Sequence, residues 1–559
     1  MKKYFNTIVF AALILSTWSC SKDVEDVPLE RYTEEYLWNT SDSLGNNASQ
    51  FLVNIYNYTP NGFNRIGNDF LAAASDDAVS SALSVTSVQR MATGGITPFA
   101  NPDNVWGNYY AGIRRATMFI NNIDKVPLAT KLPSGAPLKA AWKAEARFLR
   151  ALFYFELVKR YGGVPIVGDE IRTLNDNVEI PRSSFAACIQ YIVDECDLAK
   201  TDLRLDPVLD ADAGRVTKGA AYALKARALL YAASPLYNGG NIQENSEYTG
   251  YSNYMVERWK LAADAAKEIM DLNSFQLLPN FKNVFITYPN REVIFARQGG
   301  NNTNVETTNG PIGYAGNSQG RTSPTQELVD SFGMLNGSTI ADPAYDPTNP
   351  YKNRDPRLAA TVLYNGAQWL NRTLETFEGG FAKPGGVIQQ TKTGYYLRKF
   401  MGNFENANAY SNVNRNFILF RYAEVLLNYA EAQNEYLTSP NAEVRAAVEL
   451  IRQRAGLNPY QLPVDLTKEQ MREIIQNERR KELAFEEHRF WDIRRWKIAG
   501  NVYNKPLHGM LIQKGTSGVL SYQEVPVLTT VFTEPKMYFY PIPYDEVVKN
   551  SNMKQNPGW

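Results

Sequence analysis

Histidine is almost missing from this chain, with two in 559 residues, and cysteine occurs only three times. Zinc centres draw on clusters of those side chains, so a structural or catalytic zinc site is excluded, and no metal or cofactor is expected. His488 and His508 stand alone and read as structural or surface residues. Also absent are a nucleophile elbow, a Walker loop and a dinucleotide fingerprint, which removes the common routes to acyl transfer, nucleotide hydrolysis and hydride transfer. Nor does either sign of charge dominate. Lys plus Arg and Asp plus Glu both number 58, a balance unlike that of a general nucleic-acid binder. An apolar content of 44% fits neither disorder nor a multi-span membrane protein. Cys188 and Cys196 lie eight residues apart on one expected helix. That places them about 12 Å apart along its axis, too far to bridge, so both read as inert core thiols.

Aromatic rings are plentiful, with 33 tyrosines. Some of them must reach the surface, where a tyrosine offers a flat apolar face and a polar edge. The chain opens Met1-Lys2-Lys3, followed by the apolar run Ile8 to Leu15. That run is too short to span a bilayer and has the shape of a secretory signal over 1–19. Ser16-Thr17-Trp18-Ser19-Cys20 closes it, and an acidic stretch, Ser21 to Asp26, follows.

The rest of the chain is organised around Phe417 to Trp496, which reads as three helices. In the first, beginning at Phe417, the residues Tyr422, Val425, Leu426 and Tyr429 fall at i, i+3, i+4 and i+7 and make one apolar stripe. Ser439-Pro440-Asn441 ends it and supplies a polar start for the second, which carries Val444, Ala447, Val448 and Ile451 and stops at Gly456. The third is a long charged helix running to Trp496, with Glu478 and Glu482 beside the apolar positions Met471, Ile475 and Phe485. A buried unpaired carboxylate is very costly, so Arg479, Arg480, Arg489, Arg494 and Arg495 are the expected partners.

Upstream, helices are expected over Trp106 to Ile123, Trp142 to Tyr161, Phe185 to Lys200 and Thr217 to Tyr231, with another around Trp259. A helix, a tight turn and a second helix in roughly 35 residues is the unit of a tetratricopeptide-like array. About four such hairpins are counted: Trp106/Trp142, Phe185/Thr217, the Trp259 helix with a partner that cannot be placed, and Arg421/Val444. The organisation is then 41–272 as an N-terminal helical region, 273–416 as a loop-rich insertion with a short strand at Val293-Ile294-Phe295, and 417–559 as a C-terminal region, preceded by a tether over 20–40. Asp76-Asp77 reads as a cap or turn rather than an acid/base pair, because glycosidase carboxylates come from separate elements facing one another. Arg354, Asp355 and Arg357 read as a local salt-bridged turn at the surface.

Several separated motifs resemble the SusD/RagB family of nutrient-binding surface lipoproteins of Bacteroidota. They are Glu145 to Phe155 with Tyr161-Gly162-Gly163-Val164-Pro165, Arg421 to Leu427, Asn477 to Glu486 running into Arg489 to Trp496, Tyr540-Pro541-Ile542-Pro543, and the ending Gln555-Asn556-Pro557-Gly558-Trp559. The resemblance covers nearly the whole mature chain. It implies a mostly α fold of tetratricopeptide-like hairpins with a few short strands. It also implies a lipobox with Cys20 as the acylated residue, attachment to the outer membrane facing outward, and non-catalytic binding of an oligosaccharide for a SusC-like TonB-dependent transporter. The helical array would dock on that barrel. In such proteins the ligand surface comes from N-terminal loops and the mid-chain insertion, which by region points to Asp76, Arg90, Phe99, Asn101, Tyr314 and Trp369. Two rival readings are a helical-repeat scaffold that binds a peptide or protein, and a glycoside hydrolase with carboxylates on loops.

Overall fold

In the computed structural model the helices form a ladder in which each one packs on the next. Trp106–Asn122 packs on Leu138–Tyr161, then come Phe185–Asp202, Lys218–Ala233, Glu257–Asp271 and Tyr422–Tyr436, and the last of these holds both Ala442–Ala455 and Lys468–Glu482. The structure describes residues 34–559 apart from 174, 178, 209–211, 241, 244–245, 315–317 and 386–389. The signal-like segment, Cys20 and most of the tether lie outside the described residues.

Local chemistry sets several of the ladder's ends. Ser184, Thr217, Asn441 and Thr467 each accept a hydrogen bond from the backbone N–H three residues on, and Thr467 completes a capping box with Gln470. Gly456 ends its helix in the left-handed conformation, at φ 85°. Leu138–Tyr161 is buried on nearly every side from Ala144 onward, and Ala146 and Ala151 are fully buried in it. The helix around Trp259, whose neighbour the sequence did not reveal, sits between Lys218–Ala233 and Tyr422–Tyr436. The insertion thus separates two helices that touch.

Two boundaries differ from the sequence reading. Phe417 to Arg421 is not helix but the end of strand Val413–Arg421, antiparallel to Val293–Asn302, and the helix begins at Tyr422. A short continuous apolar run fits a buried strand as well as a buried helix, and aromatic and branched residues tip it toward strand. The expected third helix is two, Lys468–Glu482 and Arg489–Arg495, broken where Phe485 and Glu487 both take φ 63°. Among the described residues the strands pair only two by two, all antiparallel, and the other long pair is the hairpin Pro506–Lys514 with Leu520–Thr529.

A buried ionic network fastens the insertion to the ladder. Arg421 meets Glu482 at 2.7 Å, Glu486 at 2.7 Å and Glu292 at 2.9 Å. Arg357 meets Glu478 at 2.6 Å and Glu482 at 3.0 Å, and Lys399 meets Glu486 at 2.7 Å. Burial alone would push the Glu482 carboxyl up, but Arg454, Arg421 and Arg357 outweigh it and hold the group well below its usual range. The partners of Glu478 and Glu482 are therefore not the five arginines expected. Arg479 binds Asp492, Arg480 and Arg489 bind Asp76, Arg495 binds Glu431 and Asp492, and Arg494 donates to the Phe490 and Met537 carbonyls. Arg357 and Asp355 do pair locally, yet in the core rather than at the surface, and Arg354 is buried on the carbonyls of Val329, Gly333 and Pro350.

Candidate functional site

The loop between the short helix Ser87–Ala92 and Trp106–Asn122 brings three of the six candidates to one surface. Phe99 is 75% exposed, Arg90 is exposed, and Asn101 is half-buried. The loop folds back on itself through Gly95 N–H to the Arg90 carbonyl at 2.7 Å and through reciprocal bonds between Thr97 and Ala100. Its apolar partner comes from the other end of the chain. The Tyr544 ring lies 4.3 Å from that of Phe99 at 32°, is 45% exposed, and its N–H donates to the Pro98 carbonyl at 3.1 Å. Sequence reasoning missed Tyr544. The one available signal was its place directly after Tyr540-Pro541-Ile542-Pro543, since nothing local tells an exposed tyrosine from a buried one.

The base beneath this pair is rigid. Asp103, two residues past Asn101, accepts from Arg160 at 3.1 Å, Tyr540 at 3.0 Å and Arg65 at 2.5 Å. Burial raises its pKa, but the Arg160 and Arg65 guanidiniums more than compensate and set it at about 2. Tyr540 N–H also donates to the Arg160 carbonyl at 2.7 Å, and the Asn556 amide donates to the carbonyls of Tyr161 and Tyr540. The motifs around Tyr161 and Tyr540 thus do structural work, holding the Phe99 loop against the long helix. Asn101 accepts from Asp103 N–H through Oδ1 at 3.0 Å, and its Nδ2 has no partner among the described residues.

The other three candidates lie elsewhere, and their expected role as an exposed surface is corrected. Trp369 has 0% exposure, its indole N–H donates to the Tyr410 hydroxyl at 3.1 Å, and the Phe404 ring meets it edge-on. Tyr314 is 8% exposed, with its hydroxyl on the Thr373 carbonyl and Arg372 over its ring at 4.8 Å. A loop-rich segment of this length needs its own core, and its largest rings supply it. Asp76 is buried in a bidentate pair with Arg489, both contacts 2.8 Å, and Arg480 holds it at 2.9 Å. It is an ion-paired anchor rather than a simple cap.

A second polar group lies at the base of the exposed Leu83–Val85 stretch. Asp69 accepts from Ser80 at 2.8 Å and from Arg321 at 3.2 Å, and burial raises its carboxyl to about 6 against that guanidinium. Among the described residues no group of three or more His, Cys, Asp or Glu side chains is arranged to hold a metal ion. No described helix is long and apolar enough to cross a membrane.

Comparison with known proteins adds an independent line. The model described as the SusD family matches residues 291–559, and one described as starch-binding associating with outer membrane matches residues 41–230. SusD-like protein P2 of Formosa agariphila is 25% identical over 472 residues, 81% of this chain and 80% of that protein. The crystal structure of a SusD-like protein from Bacteroides fragilis superposes with a TM-score of 0.77 at 28% identity, over 94% of this chain and 99% of that one. A SusD-like carbohydrate binding protein from the same species gives 0.75 at 25% identity, over 93% and 100%.

Proposed function

Because this chain belongs to the SusD family, we propose that it binds an oligosaccharide on the Phe99–Tyr544 platform, breaks no bond in it, and passes it to a SusC-like TonB-dependent transporter. Acylated Cys20 anchors it to the outer membrane with the platform facing outward.

The observation that carries this reading is a pair of exposed rings on an immobilised base. Pyranose rings have apolar C–H faces that stack on aromatic side chains, while their hydroxyls need a few fixed polar groups. The exposed Arg90 guanidinium is such a group. Preorganisation by Asp103 keeps the ordering cost of binding low. Binding without cleavage is supported by Asp76, Asp103, Glu478 and Glu482, each of which is committed to a guanidinium and unavailable as a proton donor or nucleophile.

The test is calorimetry of residues 21–559 against a glycan panel, with the mixture then analysed for products. At least one neutral oligosaccharide binds, and Phe99→Ala and Tyr544→Ala each weaken it by about tenfold, or about 1.4 kcal/mol. Undiminished affinity in both variants removes the platform from the reading, and accumulating shorter sugars would mark a hydrolase. Labelled palmitate incorporated into the full chain and lost in Cys20→Ala tests the anchor.

A further inference from the structure

One ring of the loop-rich insertion does face water. Phe381 is 60% exposed, although Tyr314 and Trp369 are sealed. Its backbone is fixed on both sides. Gly313, at φ +76°, packs so closely that a Cβ there would come within 3.1 Å of the Phe381 carbonyl oxygen. Ala382, the next residue, is buried, its N–H donates to the Glu375 carbonyl at 3.0 Å, and its carbonyl accepts from the Tyr396 hydroxyl at 3.1 Å. The open side of the ring contributes nothing to the core.

Arg372 stands beside it. The guanidinium carbon lies 4.6 Å from the Phe381 ring centre and 4.8 Å from that of Tyr314, and Nη1 donates to the Gly313 carbonyl at 3.2 Å. Two rings and a carbonyl thus position the group without neutralising it. Arg357, Arg421, Arg489 and Arg495 are each spent on carboxylates. Arg372 is exposed, forms no ion pair among the described residues, and donates to none of them through Nε or Nη2. The same loop carries Lys383, which is exposed, and Lys514 lies over its Phe377 ring at 5.0 Å. Neither lysine is paired with a carboxylate among the described residues. Of the loop's two carboxylates, Glu378 accepts from the Gln513 amide at 3.0 Å and Glu375 faces the Tyr314 hydroxyl. Positive charge therefore exceeds negative on this surface.

We propose that Phe381 and Arg372 form a second glycan subsite, which takes an oligosaccharide of uronic acids. One pyranose lays its C–H face on the open side of Phe381, and the carboxylate of the adjoining unit meets the free edge of Arg372. The proposal rests on oligosaccharide binding by this chain but not on Phe99 and Tyr544. A planar fork with two free nitrogens matches a carboxylate through two parallel bonds. Stacking already fixes the guanidinium, so little side-chain freedom is lost on binding. A neutral sugar would leave the charge unanswered, and a small carboxylate would leave the ring bare.

The probes are trisaccharides of galacturonic, glucuronic and mannuronic acid, each with its methyl ester as the neutral control. Titration into residues 21–559 is followed by calorimetry at two salt concentrations. At least one acid trisaccharide saturates, and more weakly at the higher salt. Its methyl ester, Arg372→Gln and Phe381→Ala each weaken binding by at least about tenfold. Both side chains are exposed, so the variants keep the parent circular dichroism. Phe99→Ala leaves this affinity unchanged, which separates the subsite from the platform. If no glycan of any kind binds, both readings fail. If a neutral glycan binds on Phe99 while no uronate trisaccharide saturates, the subsite alone is overturned. Equal affinity for an acid and its ester, undiminished binding in Arg372→Gln, or equal binding of the peptide acetyl-Gly-Ala-Asp-Ala-Gly-amide would also overturn it.

Discussion

Glu482→Gln tests the buried ionic network at its hub. One Glu482 oxygen meets Arg421 at 2.7 Å together with Arg454, and the other meets Arg357 at 3.0 Å, all in a side chain with 0% exposure. The amide is isosteric but uncharged, and its NH2 group faces at least one guanidinium that can only donate. Arg421 and Arg357 keep other carboxylates, Glu486 and Asp355, so the site is not stripped of negative charge. Removing one partner of a buried pair costs about 3–5 kcal/mol, and those remaining contacts place the loss at the lower end, about 3. Against a typical total of roughly 5–15 kcal/mol for a domain, that is a large share. Urea denaturation followed by far-UV circular dichroism reads the loss as a lower midpoint at unchanged slope. The exposed Glu473→Gln serves as control, within about 0.5 kcal/mol of the parent. A loss below about 1 kcal/mol for Glu482→Gln would mean that water or rearranged arginines compensate the charge, and the argument from the network would fail.

Three further outcomes rest on the same structure. Glu478 is held at about 2: burial raises it, but Arg357 and Lys481 more than offset that. A depressed folded pKa gives stability that is full above the unfolded value near 4.5 and lost as pH falls toward 2, so the urea midpoint drops across that window. Trp369→Ala costs about 3–5 kcal/mol in the same assay, because it empties a fully buried site. Unchanged stability there would return Trp369 to the surface. Burial raises the Cys188 thiol to about 11 and Cys196 further, so in protein lacking Cys20 both resist a disulfide reagent until urea unfolds the chain. Prompt reaction in native buffer would contradict their placement.

What could be read in advance depended on the range of the forces involved. Gly456 and the cap at Asn441 act within one turn of backbone, so their residue types suffice. The strand at Phe417 to Arg421 was misread because its register depends on Val293–Asn302, more than a hundred residues away in sequence. Phe99 and Asn101 were named by region alone, and Tyr544, whose ring meets that of Phe99, was not named at all. That ring contact joins residues more than four hundred positions apart in sequence.

Composition and short-range pattern were enough to specify most of the long helices, some of their caps and, through several motifs, the family. Tertiary structure alone decided which arginine neutralises which glutamate, which rings are sealed in the core and which face water. Periodicity and capping are settled among neighbours in sequence, but burial and ion pairing depend on what the rest of the chain brings alongside. Glu482 finds Arg357 from the insertion, and Asp103 finds Tyr540 from the C-terminal region, only after the chain has folded.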